Sequence, residues 1–341
     1  MLTLDKKDRE ILYQLDLDAR QPNSAIARKV RASKEVVGYR IARMERDGII
    51  QGYYALVDIT KLGYLNGRIF IKLKGASPAD ERAMVEEFAR EPRSWWVNSI
   101  SGSSADMGIA YWVKDIADFH AVKEGLLNKY RDKIDSYRES IYSGFHVWRR
   151  NYLSAREEAP KYDLITGSSP PMAFDDGDVR LLSALSGNAR MPLVELAKKA
   201  CLSVNTAKYR LKRLAKEKVL LGFRPKIGID KAGIYWYKVE FQLEDNSKKK
   251  AMLAYFGAHR NILYEYESIG GGTELEMEME VESHAQFRGI IDAFRQKFAP
   301  SIRTYGYYMW SAEHKIVYFP SKEFFGMGCR REKKVNKEWI G

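Results

Sequence analysis

A chain of 341 residues is too long for one ordinary core and accommodates two to four modest domains. Apolar residues at 45% and charged residues at 30% exclude a disordered polymer, and no run approaches the ~18 apolar residues that a membrane-spanning helix requires. The net charge of +12 favours a polyanionic partner through counterion release. Cys201 and Cys329 lie far apart, without a CxxC or Cys/His cluster. That pattern argues against a metal site and a disulfide framework and fits a reducing compartment. The opening MLTLDKKDRE becomes charged at once and has no apolar signal core, so the expectation is a cytoplasmic chain without membrane association.

Taken in order, Asp5 followed by Asp8 reads as a helix start, with carboxylates capping free backbone N–H groups. Ile11, Leu12 and Leu15 mark one apolar face of a helix that ends near Asp18 and is interrupted by Pro22 and Asn23. A short helix with Ile26, Ala27 and Val30 inside follows. Ser33 caps a third helix in which Val36, Val37, Ile41 and Met44 are expected to face inward. Gly48 stops that helix, and Ile49 to Val57 predicts a strand or wing. Three helices, a tight break before the third and then a wing make a winged helix-turn-helix order.

After Gly63 the period becomes alternating. Ile69 to Leu73 predicts a strand, and Pro78 opens a helix through Met84, Val85 and Phe88. Strands over Trp95–Ile100 and Met107–Val113, a helix over Asp115–Tyr130 and a strand over Ser136–Trp148 complete the set. The order β-α-β-β-α-β indicates a ferredoxin-like sandwich. Gly167, Ser168, Ser169, Pro170 and Pro171 then favour turns and extended backbone, and 151–173 is read as a linker.

The chain then repeats itself. Asp5, Asp8, Leu12, Leu15, Ala19, Arg20, Pro22 and Ala27 recur as Asp175, Asp178, Leu182, Leu185, Ala189, Arg190, Pro192 and Ala197, a constant offset of 170. Ser33, Tyr39, Arg40, Arg43 and Gly63 recur as Ser203, Tyr209, Arg210, Arg213 and Gly233 in the same register. Farther on, Phe119, Tyr137, Ser143 and His146 fall opposite Phe287, Tyr305, Ser311 and His314 with a slightly shorter offset. A period this long indicates a duplicated domain set. The expected fold is α+β, with two winged helix-turn-helix domains (1–62 and 174–232) alternating with two ferredoxin-like domains (63–150 and 233–320). A basic tail over 321–341 adds Arg330, Arg331, Lys333, Lys334 and Lys337 beside Trp339.

In copy two, Ser203 caps the third helix, with Val204, Ala207, Leu211 and Leu214 as its expected inner stripe. Its outer face carries Lys208, Arg210, Lys212, Arg213, Lys216 and Lys218, with only Glu217 opposing. Copy one is mixed, with Lys34, Arg40, Arg43 and Arg46 set against Glu35, Glu45 and Asp47. Such a helix fits the major groove of duplex DNA, its N-terminal side chains reaching base edges and its later Arg and Lys residues holding phosphates. The candidate DNA-contacting residues are Lys34, Tyr39, Arg40, Arg43, Arg46, Asn205, Thr206, Lys208, Tyr209, Arg210, Lys212 and Arg213. Arg40 and Arg210 are equally suited to pairing with acids on the first helix, and Tyr39 and Tyr209 to packing on the wing. The uncovered sheet faces are expected to pair within the chain as a pseudo-dimer, though pairing between chains would satisfy the same surface.

The segments DKKDREILYQL, SAIARKVRASKEVVGYRIARME and DGIIQGYYALVDITKLG resemble the Lrp/AsnC family of feast/famine regulators. In copy two the resemblance lies in DDGDVRLLSAL, LVELAKKACLSVNTAKYRLKRLAKEKVLLGF and IGIDKAG. The resemblance covers nearly the whole chain apart from the linker and the tail after Pro320. It implies sequence-specific DNA binding, paired sensor sandwiches assembled into larger homo-oligomers, and an amino acid or similar small effector between the sandwiches. It also implies a Gly-x-x-Asp loop near the effector, matched in copy two by Gly271 to Glu274 and in copy one, one residue longer, by Gly102 to Asp106. A small-residue hairpin turn accounts for the same positions. No Ser/His/Asp set, phosphate loop or metal-ligand spacing is recognisable, so the chain is expected not to be an enzyme and to need no cofactor. The rival reading is an enzyme similar to sirohaem decarboxylases, with His146, His314, Tyr137 and Tyr305 near a tetrapyrrole.

Overall fold

The structure, a computed structural model, describes residues 4–102, 105–156, 159–166 and 170–325. The basic tail from Arg330 onward, Trp339 included, lies outside the described residues.

The first helical unit comprises α1 (Lys6–Leu17), α2 (Asn23–Val30) and α3 (Lys34–Arg46), followed by β1 (Ile50–Val57). Asp5 and Asp8 cap α1 reciprocally, and Ser33 accepts from the backbone N–H of Val36 to start α3. Ile11, Leu12, Leu15, Ile26, Val37, Ile41 and Met44 close the core beneath the three helices. Val36 and Val204, each expected inside, are 42% and 39% exposed, because each stands in the first turn before its helix meets the core. The first sandwich consists of β2 (Leu65–Leu73), α4 (Pro78–Arg90), β3 (Ser94–Ser101), β4 (Met107–Val113), α5 (Ile116–Lys129) and β5 (Ile134–Trp148). The segment expected to be a plain linker folds β6 (Tyr162–Thr166) onto the end of β5.

Copy two repeats the order with α6 (Asp176–Gly187), α7 (Leu193–Lys199), α8 (Val204–Lys216) and β7 (Leu220–Ile227). After a short α9 (Ile229–Ala232) come β8 (Tyr235–Leu243), α10 (Lys249–Gly257), β9 (Ile262–Gly270), β10 (Leu275–Val281), α11 (His284–Phe298) and β11 (Ile302–Ile316).

Two sets of strand pairs join the copies. The wings β1 and β7 pair antiparallel from Ile50↔Ile227 to Val57↔Leu220. Beneath them the strands close into a ring of order β2-β4-β3-β11-β8-β10-β9-β5, with β5 returning to β2 and β6 attached outside. Two 15-residue strands make the closure. The first half of β5 pairs with β2 in its own sandwich and the second half with β9 in the other. Likewise β11 pairs first with β8 and then with β3. Face-to-face stacking alone was expected. Strands that outrun their own sheet also join its edges, so no backbone row at the seams is left unpaired.

Alternation along the strands separates two kinds of core. One row packs under the helices, as with Ile69, Ile71, Met107 and Ile109 in copy one and Val239, Phe241, Met277 and Met279 in copy two. The opposite row fills the ring with Phe70, Trp96, Tyr142, Tyr266, Tyr308 and Trp310. A buried ionic cluster lies among these rings. Arg68 meets Glu276 through two hydrogen bonds of 2.7 and 2.8 Å, and Lys238 lies 2.8 Å from Glu276 and 3.7 Å from Glu278. Burial alone would raise the Glu276 carboxyl, but Arg68 and Lys238 hold it well below the usual carboxylate range. Glu278 has the weaker partner, and burial pushes it up to about 7.

Candidate nucleic-acid interface

The third helix of each copy owes its orientation to arginines locked onto the first. Arg40 reaches Asp5 at 2.6 Å and Asp8 at 2.8 Å, and Arg43 reaches Asp8 at 2.5 Å. In copy two, Arg210 reaches Asp175 at 2.6 Å and Asp178 at 2.9 Å, while Arg213 also pairs with Asp178. Burial disfavours the charge of Asp175, yet Arg210 holds its carboxyl below the usual range. Asp8 and Asp178 are fully buried. Four residues expected to hold phosphates are thus engaged inside the protein, and their first effect is to fix the angle between helices. The repeat carried the signal for this, since both acids and both arginines recur at the offset of 170.

The remaining candidates face outward. Tyr39 and Tyr209 are 65% and 68% exposed rather than packed on the wings. Lys34 and Arg46 are exposed on α3, and Arg46 pairs with Asp47 at 3.2 Å. On α8, Asn205, Lys208, Lys212 and Lys216 are exposed. Thr206 is half-buried, its hydroxyl 2.8 Å from that of Ser203 at the cap. The copies brace each other behind these helices. Arg20 donates to the carbonyl of Ala189 at 2.5 Å, and Arg190 lies over the Tyr53 ring at 5.0 Å. Tyr53 in turn donates to Glu45 at 2.6 Å.

The glycine loops of the sandwiches take equivalent positions despite their unequal length. Asp106 accepts from the backbone N–H of Leu73 at 2.7 Å and from Lys72 at 2.8 Å. Glu274 accepts from the backbone N–H of Leu243 at 3.1 Å. Both acids therefore tie the loop to the end of the first sandwich strand. Gly102 and Gly271 have φ of 81° and 78°, a conformation glycine adopts without strain, and the Gly271 carbonyl accepts from Arg138 at 3.3 Å.

The residues considered for a tetrapyrrole engage separate partners. His146 lies 3.3 Å from Glu265 on the β5–β9 seam, and His314 lies 2.9 Å from the Ser99 hydroxyl on the β11–β3 seam. Tyr137 is partly exposed near Lys123, and Tyr305 stacks on Phe241 behind the ring. Among the described residues no group of three or more His, Cys, Asp or Glu could hold a metal ion, and no helix is long and apolar enough to cross a membrane. Sequence reasoning missed the ionic groups within and beside the ring: Arg68–Glu276–Lys238, Arg138–Glu240 and Arg150 between Asp16 and Glu280.

Residues 4–51 match the winged helix-turn-helix DNA-binding family, and residues 174–215 match the AsnC-type helix-turn-helix domain. An uncharacterized HTH-type transcriptional regulator of Pyrococcus abyssi is 31% identical over 148 residues, covering 42% of this chain and 89% of that protein. That relative is about one copy long. The regulator AldR of Mycolicibacterium smegmatis is 31% identical over 100 residues, 29% of this chain and 58% of that protein. Both copies thus define a protein of the DNA-binding helix-turn-helix class. The chain belongs to the Lrp/AsnC family, as a member with two units in tandem.

Among solved structures, the siroheme decarboxylase NirDL has a TM-score of 0.60 and 14% identity, covering 93% of this chain and 94% of that one. It has also been solved in complex with an iron-uroporphyrin III analogue. The expectation that the chain is not an enzyme is overturned by this match. The tandem architecture that pointed to a regulator is, over nearly its whole length, also that of an enzyme.

Proposed function

We propose that this protein is a sequence-specific DNA-binding transcriptional regulator that seats its third helices in the major groove. The observation that carries this reading is the outer face of α8. Lys208, Lys212 and Lys216 stand exposed around Asn205 and Tyr209, while the neighbouring arginines are held by Asp175 and Asp178. Lysines free of acids neutralise phosphates, and an exposed amide near the helix start reaches a base edge. Fluorescence anisotropy of labelled duplex DNA across a salt series tests it. Replacing the three lysines with alanine is expected to weaken binding to every sequence and to flatten the log–log salt slope by about 0.9 per lysine. Binding that is absent at low salt, or indifferent to the three changes, rejects the reading.

We propose further that the paired sandwiches respond to a small amino-acid-like effector. The support is the glycines beside the anchoring acids Asp106 and Glu274: Gly102 and Gly272 are exposed and Gly271 half-buried, and backbone N–H groups there suit a carboxylate. Titrating a panel of amino acids into the DNA complex, with no change in affinity from any of them, would count against it. A second reading is favoured by the full-length likeness to NirDL: a tetrapyrrole-modifying activity on the same scaffold. A visible-absorption titration with an iron tetrapyrrole distinguishes it, and an unshifted Soret band speaks against it.

A further inference from the structure

The two reading helices come from one duplication but no longer present the same chemistry. At matched positions α3 carries Glu35, Gly38, Ala42 and Glu45 where α8 carries Asn205, Lys208, Lys212 and Ala215. All are exposed apart from Gly38, which is half-buried. The arginines the helices share do not even out this difference, because both pairs are engaged by the acids of the first helices. What stands exposed on α3 is balanced: Lys34 and Arg46 against Glu35 and Glu45, with Arg46 drawn to Asp47 and Glu45 accepting from the Tyr53 hydroxyl. What remains on α8 is three lysines with no acid between them.

The pairing of wings and the closed ring of strands tie one helix of each kind into a single unit. A palindromic DNA site mirrors a two-fold symmetric reader, and this reader lacks that symmetry at the positions that reach the groove. We infer that the DNA it recognises is a non-palindromic duplex site with two unlike halves. The half under α8 is held by phosphate attraction and read by Asn205, whose amide matches the N6/N7 edge of adenine. The half under α3 gains little from phosphates and is read with Glu35, a carboxylate that accepts from the N4 amino group of cytosine. This inference rests on the DNA-binding reading above.

The test is enrichment of bound sequences from a pool of random duplexes at low salt, using the intact chain. The expected product is a motif whose halves differ. Asn205→Ala should erase the preference in one half and Glu35→Ala should alter only the other. A palindromic motif, or retained DNA with no enriched motif, overturns the inference while DNA binding itself stands. No retained DNA removes the reading beneath it as well. A gain-of-symmetry variant adds a second arm, with Glu35→Asn, Gly38→Lys and Ala42→Lys giving α3 the matching residues of α8. At Gly38 a Cβ would meet only the Asn23 amide nitrogen, at 3.4 Å, so a side chain there is accommodated, and a thermal midpoint confirms folding. This variant should enrich a palindrome and steepen the log–log salt slope by roughly 2. A variant that folds and still selects the original motif overturns the inference.

Discussion

The two sandwiches share a topology yet fill the ring with opposite chemistry. Where β4 places Gly108, Ala110 and Trp112, β10 places Glu276, Glu278 and Glu280 at the matching positions. Copy one supplies arginines to meet two of these acids, Arg68 to Glu276 and Arg150 to Glu280. Arg138 of copy one also meets Glu240 of copy two, through two bonds of 2.7 and 2.8 Å. In a symmetric pair, residues near the axis face their own copies, so neither side can specialise. Once duplication put two units in one chain, the arginines of this cluster collected on one side and the glutamates on the other, with Lys238 of copy two beside them. Buried ion pairs add little stability over apolar packing, but they penalise the wrong partner, because two second sandwiches would bring their acids together. The seam thus encodes which sandwich meets which.

Glu276→Ala leaves Arg68 and Lys238 buried without their carboxylate, and should cost about 3–5 kcal/mol in chemical denaturation. A loss below 1 kcal/mol would mean that the cluster is solvated and the asymmetry carries no energy. The next effect is a pH dependence confined to copy two. Glu278 is pushed up to about 7 by burial, against the pull of the Lys238 and Arg68 charges. The fold therefore binds this proton more tightly than the unfolded chain, whose value is 4.5, and stability falls as pH rises from about 4.5 to 7. Glu278→Gln should remove that fall and stabilise the protein at pH 8 by up to about 3 kcal/mol. An unchanged pH profile of thermal midpoints would place the titration elsewhere.

The smallest test concerns the helix-covered side, where the copies differ by an aromatic ring. Phe119 of α5 lies directly over Gly67, and a Cβ there would come within 2.5 Å of the ring. At the matching place in copy two Tyr237 stacks on Phe287, ring centres 4.1 Å apart. Gly67→Ala should displace Phe119 and cost about 1–3 kcal/mol, whereas Tyr237→Phe, which keeps the stack, should cost less than that. Equal effects would show that both sites repack freely.

Much of this fold is legible in the sequence, because its signals are local and occur twice. Capping acids, the Ser33 and Ser203 helix starts and the alternation of strands each stand beside the residues they organise. The ring was not legible. Whether the latter half of β5 continues its own sheet or joins another depends on residues more than a hundred positions away. The segment LEMEMEV illustrates the second gap. Its alternation predicts a strand with glutamates toward water, yet every residue of it is buried. The partners of those acids, Arg68 and Arg150, come from the other copy, where no spacing rule links them. At the candidate interface the arginine pairs had a signal in the repeated Asp/Arg spacing, while the exposure of Tyr39 and Tyr209 depended on how the helices tilt.

The double use of β11 also sets an order of assembly. Its latter half supplies the strand beside β3, so the first sandwich keeps an open edge until residues 309–316 have been synthesised. Contacts that span more than two hundred residues form late, since the intervening chain must be brought together first. A nascent chain therefore carries a half-finished first sheet until β11 has emerged, and loss of β11 would injure the first sandwich as much as the second.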